Sequence, residues 1–171
     1  MGKIALFFDT ESGSTNRVAT LIRRSFDDGV VDIFSAAQMS EAVVDEYGSF
    51  ILGTPSLDKG RLPDSWQLLL QSDGFDFGDK TVALFGLGDQ KGYPSQFVDG
   101  LGILYDHLAR RGAKIVGFWP VAGYQYTRSG AERDGQFVGL VVDQDNQPEL
   151  TVERVARWAQ LISAPLLQAA R

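Results

Sequence analysis

Apolar and polar positions alternate along this chain in two kinds of block. Short, nearly unbroken apolar runs lie at Lys3–Phe8, Val30–Phe34, Ser49–Gly53, Thr81–Gly86 and Lys114–Trp119, and each reads as a buried strand. Between them apolar residues recur at three- and four-residue spacing, the stripe of an amphipathic helix. Val18, Leu21, Ile22 and Phe26 mark the first such helix, and Ser40–Glu46 is a short one with Ser40 as its cap. Asp64–Ser72 carries Trp66, Leu69 and Leu70, while Phe97, Leu101, Leu104 and Leu108 mark a longer helix ending near Gly112, where Arg110 and Arg111 complement the dipole. A last helix opens near Thr151, carries Val155, Ala159 and Ile162, and is expected to stop or bend at Pro165. Strand and helix in alternation predict a parallel sheet covered by helices, with ligands at the carboxyl ends of the strands.

The turn after the first strand is the most informative piece of chemistry. Asp9 is followed by Thr10, Glu11, Ser12, Gly13, Ser14 and Thr15, and the first helix starts there. A hydroxyl-rich loop that opens a helix offers free backbone N–H donors and the positive end of the helix dipole to an anion. No Lys or Arg lies between Thr10 and Thr15, so an anion would be held by hydrogen bonds, which suits a phosphate monoester carried by a cofactor. A simple capped strand-to-helix turn is the alternative. A Walker loop is excluded because the loop has no lysine, and a dinucleotide fingerprint because it has one glycine.

Composition narrows the classes further. The 171 residues suffice for one domain with a sizeable core, spanning 1–171, and 44% hydrophobic with 22% charged residues is ordinary for a soluble protein. The absence of cysteine excludes disulfides, thiolate catalysis and Cys-ligated zinc or iron–sulfur centres. No apolar run approaches the roughly 20 residues of a membrane span, and the first residues read as a core strand rather than a signal peptide, so the expected location is cytoplasmic. A net charge of −6 argues against nucleic acid and anionic membranes and permits steering toward a basic partner.

Two further loops should reach the same crest. After the third strand comes Gly53-Thr54-Pro55-Ser56-Leu57-Asp58-Lys59-Gly60, and after the fourth Gly86-Leu87-Gly88-Asp89-Gln90-Lys91-Gly92-Tyr93-Pro94. Glycine lets backbone approach a flat heteroaromatic ring, and Tyr93 offers a face to stack on it; either loop alone reads more readily as plain turn chemistry, and their agreement in position with the first loop is what points to a ligand.

Thr10-x-Ser12-Gly13-x-Thr15, Ala83–Gln90 with Gly92-Tyr93-Pro94, and Phe137–Leu140 with Asp143–Gln147 and Leu150-Thr151 resemble the flavodoxins along almost the whole chain. Residues 119–138 resemble the excursion that splits the last strand in long-chain members. The resemblance implies an α/β, doubly wound three-layer sandwich, a five-stranded parallel sheet in the order 2-1-3-4-5, the order that defines the flavodoxin fold itself. It implies FMN as cofactor, its phosphate on Thr10–Thr15 and its isoalloxazine between Gly53–Gly60 and Gly86–Tyr93. By the same resemblance Tyr93 stacks on the ring, Asp89 bonds its pyrimidine edge and Asp145 reaches the ribityl chain. A backbone carbonyl at Asp58-Lys59, with Gly60, turns to accept a hydrogen bond from the reduced ring. The implied function is a low-potential one-electron carrier, monomeric, that meets a flavodoxin reductase and an electron-accepting enzyme transiently and by electrostatics.

The chain departs from the family pattern at Leu57, where a stacking tryptophan is usual, at Asp9, where glycine is usual, and at Lys59 and Arg61, which add positive charge. His107, the only histidine, reads as a cation at a helix C-terminus, and Asp143 with Asp145 as a solvated turn or a ribityl contact. Trp66 and Trp158 read as core or interface residues. An FMN-dependent NAD(P)H quinone or nitro reductase on the same fold, or a flavin-free interaction module, are the other classes. A receiver domain is disfavoured because Thr54-Pro55-Ser56 stands where its phosphoacceptor aspartate would be.

Overall fold

The structure, a computed structural model, describes residues 2–9 and 13–170. Five strands form its centre: β1 (Ile4–Phe8), β2 (Val31–Ser35), β3 (Ser49–Pro55), β4 (Thr81–Leu87) and β5 (Lys114–Val116). They pair in parallel in the order β2-β1-β3-β4-β5. All residues of β1, β3 and β4 are buried, as expected for strands covered on both faces. Phe7 of β1 stacks on Phe34 of β2, centroids 4.9 Å apart, and on Phe50 of β3.

Parallel neighbours need crossovers, and these are the helices α1 (Gly13–Arg24), α2 (Glu41–Glu46), α3 (Gln67–Gln71) and α4 (Asp99–Arg110), with α5 (Thr151–Ala169) closing the chain. Ser40 caps α2 by accepting from Val43 N at 3.2 Å, as its sequence position predicts. The segment Asp64–Ser72 differs from expectation: Asp64–Trp66 is a 3-10 turn, and α3 begins only at Gln67. At Pro165 helix α5 does not stop but runs on to Ala169. The carbonyl that loses its partner there is that of Leu161, whose residue is exposed, so water can satisfy it, while buried Ile162 and Leu166 hold the helix to the core.

The last strand is split. The apolar run Lys114–Trp119 leaves the sheet after Val116, at Gly117, whose φ of +84° turns the chain away and whose carbonyl accepts from Trp158 Nε1 at 2.8 Å. The excursion makes a small antiparallel sheet from β6 (Trp119–Pro120), β7 (Glu132–Arg133) and β8 (Gln136–Phe137), in the order β6-β8-β7. It returns as β9 (Leu140–Val142), which pairs with Phe85–Leu87 of β4 where β5 has left off. Gly139 makes the return possible, because a Cβ there would overlap the backbone carbonyl of Leu84.

Backbone cannot yield as a flexible side chain can. Gly139→Ala is therefore expected to destabilise the protein by about 1–3 kcal/mol, the usual cost of overpacking a tight site. Urea unfolding checks this, and a midpoint equal to that of the parent would show that β9 can shift off β4 at no cost.

Candidate functional site

The parallel strands end on one edge, and there Ser14 of α1, the loops after β3 and β4 and Gln144-Asp145 beyond the final strand β9 line a cavity of ≈ 210 Å³. Of the residues singled out from sequence, Ser14, Pro55, Ser56, Leu57, Gly60, Leu87, Gly88, Asp89, Tyr93 and Asp145 line it. Leu57 and Tyr93 are 37% and 44% exposed, apolar walls left open to solvent. Ser56 Oγ is buried with no hydrogen-bond partner among the described residues, a polar group of the cavity lining that protein leaves unmet. At Gly88 a Cβ would lie 2.7 Å from Val98 Cγ1, so a side chain there would close the cleft floor.

The remaining singled-out residues lie around the cavity rather than in it. Gly13 opens α1, and the first turn of α1 carries no acidic residue. Thr15 and Thr54 are fully buried, with Thr54 Oγ1 donating to Pro55 O at 2.9 Å. Gly86 lies one layer below, packed on Leu101. Asp58 and Lys59 are exposed at the tip of the loop after β3. Thr10, Glu11 and Ser12 lie outside the described residues.

That tip is a tight turn closed by Gly60 N to Leu57 O at 2.7 Å and Leu57 N to Arg61 O at 2.8 Å. Lys59 takes φ 55° and Gly60 φ 85°, so a residue with a Cβ sits in the left-handed region beside a glycine. Arg61 is engaged on the outside, 3.7 Å from Asp64, in a well-exposed ion pair.

The sequence reading missed four cavity residues: Gln96, Phe97, Val98 and Gln144. Val98 carries the plainest structural mark, a β-branched residue held at φ 48° immediately before α4. Nothing in an apolar Phe-Val pair announces that conformation. Gln144 adjoins Asp145 and was within reach of the same argument.

Two carboxylates of the site have opposite surroundings. Asp89 Oδ1 accepts from Gly92 N at 2.7 Å, Asn146 Nδ2 at 2.8 Å and Lys91 N at 3.1 Å. These donors, Gly92 N–H first and the Asn146 amide next, hold its carboxyl below the ordinary 3.8. Asp145 is pushed above 3.8 by partial burial first and then by the nearby charges of Asp89 and Asp143.

Two expectations from sequence are corrected here. Asp143 is not in a solvated turn: it is fully buried at the end of β9. Its Oδ2 accepts from Gln90 Nε2 at 2.7 Å, Asn146 Nδ2 at 2.8 Å and Gln90 N at 3.0 Å, and its Oδ1 from Asn146 N at 3.0 Å. His107 lies in the last turn of α4, where burial first, then Arg110 and Arg111, lower its pKa and weaken it as the helix-end cation. Arg111 takes that role, donating to the carbonyls of His107, Leu69 and Ser72. Trp66 and Trp158 are both fully buried core residues. No group of His, Cys, Asp or Glu suited to a metal, and no helix long and apolar enough to cross a membrane, occurs among the described residues.

The Asp89 shift has a definite sign. A lowered folded-state pKa gives stability that is present above the unfolded value of 3.8 and lost as pH falls through the lower folded value. Asn146→Ala should move the Asp89 carboxyl up toward 3.8 and Asp89→Asn should move Asp145 down toward it. Carboxyl carbon NMR titration reads both, and an unmoved Asp89 in Asn146→Ala would remove the amide from its environment.

The comparisons with known proteins agree with this geometry. The flavodoxin family profile matches residues 6–158. A flavodoxin of Picosynechococcus sp. is 44% identical over 164 residues, covering 94% of this chain and 96% of that one. A flavodoxin of Synechocystis sp. is 44% identical over 170 residues, covering 98% and 99%. Among solved structures, the K13G mutant of Fusobacterium nucleatum flavodoxin, bound to flavin mononucleotide, superimposes with a TM-score of 0.90 at 30% identity over 97% of this chain and 98% of that one. With the sheet order, the split last strand and the cleft at the strand ends, these similarities place the chain in the flavodoxin family.

Proposed function

We propose that this chain is an FMN-dependent, low-potential carrier of single electrons, an electron-transfer flavoprotein rather than an enzyme, with one FMN-binding domain over residues 1–171. The observation that carries the reading is one cleft lined by the loops after β3 and β4, by Ser14 at the start of α1 and by Asp145 after β9, which joins a helix first turn without acidic residues to two open apolar walls. The cleft suits an amphipathic flavin: an unpartnered hydroxyl at Ser56, space guarded at Gly88, and Leu57 and Tyr93 on its flanks. FMN, when bound, supplies the one-electron chemistry, and the protein sets its potentials.

The residues divide that work by their chemistry. Thr10, Glu11, Ser12, Gly13, Ser14 and Thr15 form the phosphate loop, where hydroxyl and backbone donors act with the α1 dipole. Thr54–Gly60 and Gly86–Tyr93 hold the ring, with Tyr93 as its aromatic partner because Leu57 cannot stack. The Asp58 carbonyl turns toward the cleft and accepts a hydrogen bond there. Supporting this, among the described residues it accepts a 3.3 Å bond from Arg61 N, and Arg61 N keeps a second acceptor, Leu57 O at 3.0 Å, when Asp58 turns. Asp89 and Asp145 bring negative charge to the cleft rim, which disfavours a second negative charge inside and makes the second electron leave at low potential.

The electrons pass between a reductase and an acceptor enzyme, met transiently. A net charge of −6 favours basic docking faces on both, and their encounter rates should fall as salt rises.

Two substitutions test the placement of the cofactor. Ser12→Ala with Thr15→Ala should weaken FMN far more than riboflavin, since each lost bond to a charged acceptor is worth roughly 1.5–3 kcal/mol. Fluorescence titration of both ligands measures this, and equal loss for the two would show that the loop does not see the phosphate. At the other end, Tyr93→Ala should cost about 0.5–1.5 kcal/mol more FMN affinity than Leu57→Ala, from the lost ring pair. The reverse order would move the ring to the Leu57 side.

A further inference from the structure

The buried carboxylate of Asp143 has a use that the cofactor chemistry does not absorb. A carboxylate with no exposure at all is costly unless its lone pairs are met. Here no ion pair among the described residues reaches it; it is met instead by amide donors, two from Gln90 and two from Asn146. Those two residues reach in opposite directions. Asn146 Nδ2 also donates to Asp89 Oδ1, inside the loop that carries Tyr93. Gln90, itself only 4% exposed, turns its Oε1 outward to accept from Gln125 N at 2.6 Å, on the excursion that splits the last strand.

The excursion continues along the same loop. Thr127 N and Arg128 N donate to Pro94 O, Phe97 N donates to Arg128 O, and Ser129 Oγ donates to Phe97 O at 2.6 Å. The stretch Gln90–Val98 is thus bonded on its outer side to the excursion and on its inner side to Asp143, while Tyr93, Gln96, Phe97 and Val98 of the same stretch face the cleft. Gln90 is the side chain that touches both sides at once.

We propose that Gln90, anchored on Asp143, is a positioning residue for the ring end of the cofactor site: it fixes the Asp89–Tyr93 wall and couples that wall to the excursion, without itself lining the cleft. The inference rests on the reading of the cleft as a flavin site. It follows that Gln90 governs affinity for the ring and leaves affinity for the phosphate alone. Gln90→Glu is the sharpest probe, because it keeps the acceptor for Gln125 N and replaces the donor to Asp143 with a second buried carboxylate.

The experiment titrates purified full-length apoprotein with FMN and with riboflavin at pH 8 and follows apoprotein melting in parallel. Binding of FMN by the parent protein comes first, and its failure would end the reading of the site rather than this inference. Gln90→Glu should weaken both ligands by the same factor, about tenfold or more, as loss of a hydrogen bond to a charged group implies, so the riboflavin-to-FMN ratio of Kd values stays that of the parent. Adding Asp143→Asn returns one carboxylate and one amide to the pair and should recover at least about a third of the lost affinity on a logarithmic scale, as a restored neutral hydrogen bond would. Should Gln90→Glu not fold, Gln90→Met removes the same side-chain bonds to Asp143 and Gln125 without adding a charge, with an equal weakening of both ligands by about threefold or more. Unchanged Kd values with only a lowered melting temperature would reduce Gln90 to a structural residue, and a loss confined to FMN would place its effect at the phosphate; either overturns the proposal.

Discussion

A parallel sheet cannot be closed by tight hairpins, and that constraint organises everything else in this molecule. Each strand must return through a helix on one face before its neighbour begins, so every strand ends on the same edge and every helix begins near it. Carbonyl ends of β1, β3 and β4, the N-terminus of α1 and the loops between them converge there because of direction alone. The buried apolar strands Ile4–Phe8, Ser49–Pro55 and Thr81–Leu87 make that edge rigid, and the polar chemistry sits on loops fixed by it.

The split of the last strand gives the site a second anchor. Strand β5 holds the lower half of β4 and β9 the upper half, so the chain can leave at Gly117, build its small sheet and return at Gly139 without breaking the barrier between core and solvent. The return brings Asp143 to the strand ends as a buried acceptor. The excursion it closes packs Tyr124 and Tyr126 against Phe97 and Phe137, and the Arg154 guanidinium lies 4.1 Å from the Tyr124 ring centroid. Burial pushes the Tyr124 phenol up to about 12, so its hydroxyl stays protonated to donate to Val141 O while accepting from Trp119 Nε1.

Much of this was legible in the sequence, for physical reasons. Central strands of a parallel sheet are apolar on both faces, so they appear as runs that need no partner to be recognised. The two glycine-rich loops and Tyr93 stood out by residue type, and the structure brings Leu57, Gly60, Gly88 and Tyr93 of them to one cavity. What was hidden depends on distant packing. Gly117 sits inside an apolar run that reads as continuous strand, and only the approach of Trp158 and Ile162 shows why the chain turns there. Pro165 should stop a helix by local rules, yet tertiary packing of Ile162 and Leu166 carries α5 through it. Asp143 and Asp145 look alike in Asp-Gln-Asp, and Asp143 is set apart by its burial against donors from neighbouring Asn146 and from Gln90, which lies far away in the chain.

The central claim is that this edge holds FMN so that it moves electrons singly. Potentiometric titration of the purified holoprotein, followed by its visible spectrum, tests this most directly. Two separate one-electron steps, the second at markedly lower potential than the first, are the expected result. A single two-electron step, or a protein that retains no FMN through purification and gains none on titration, would contradict the account.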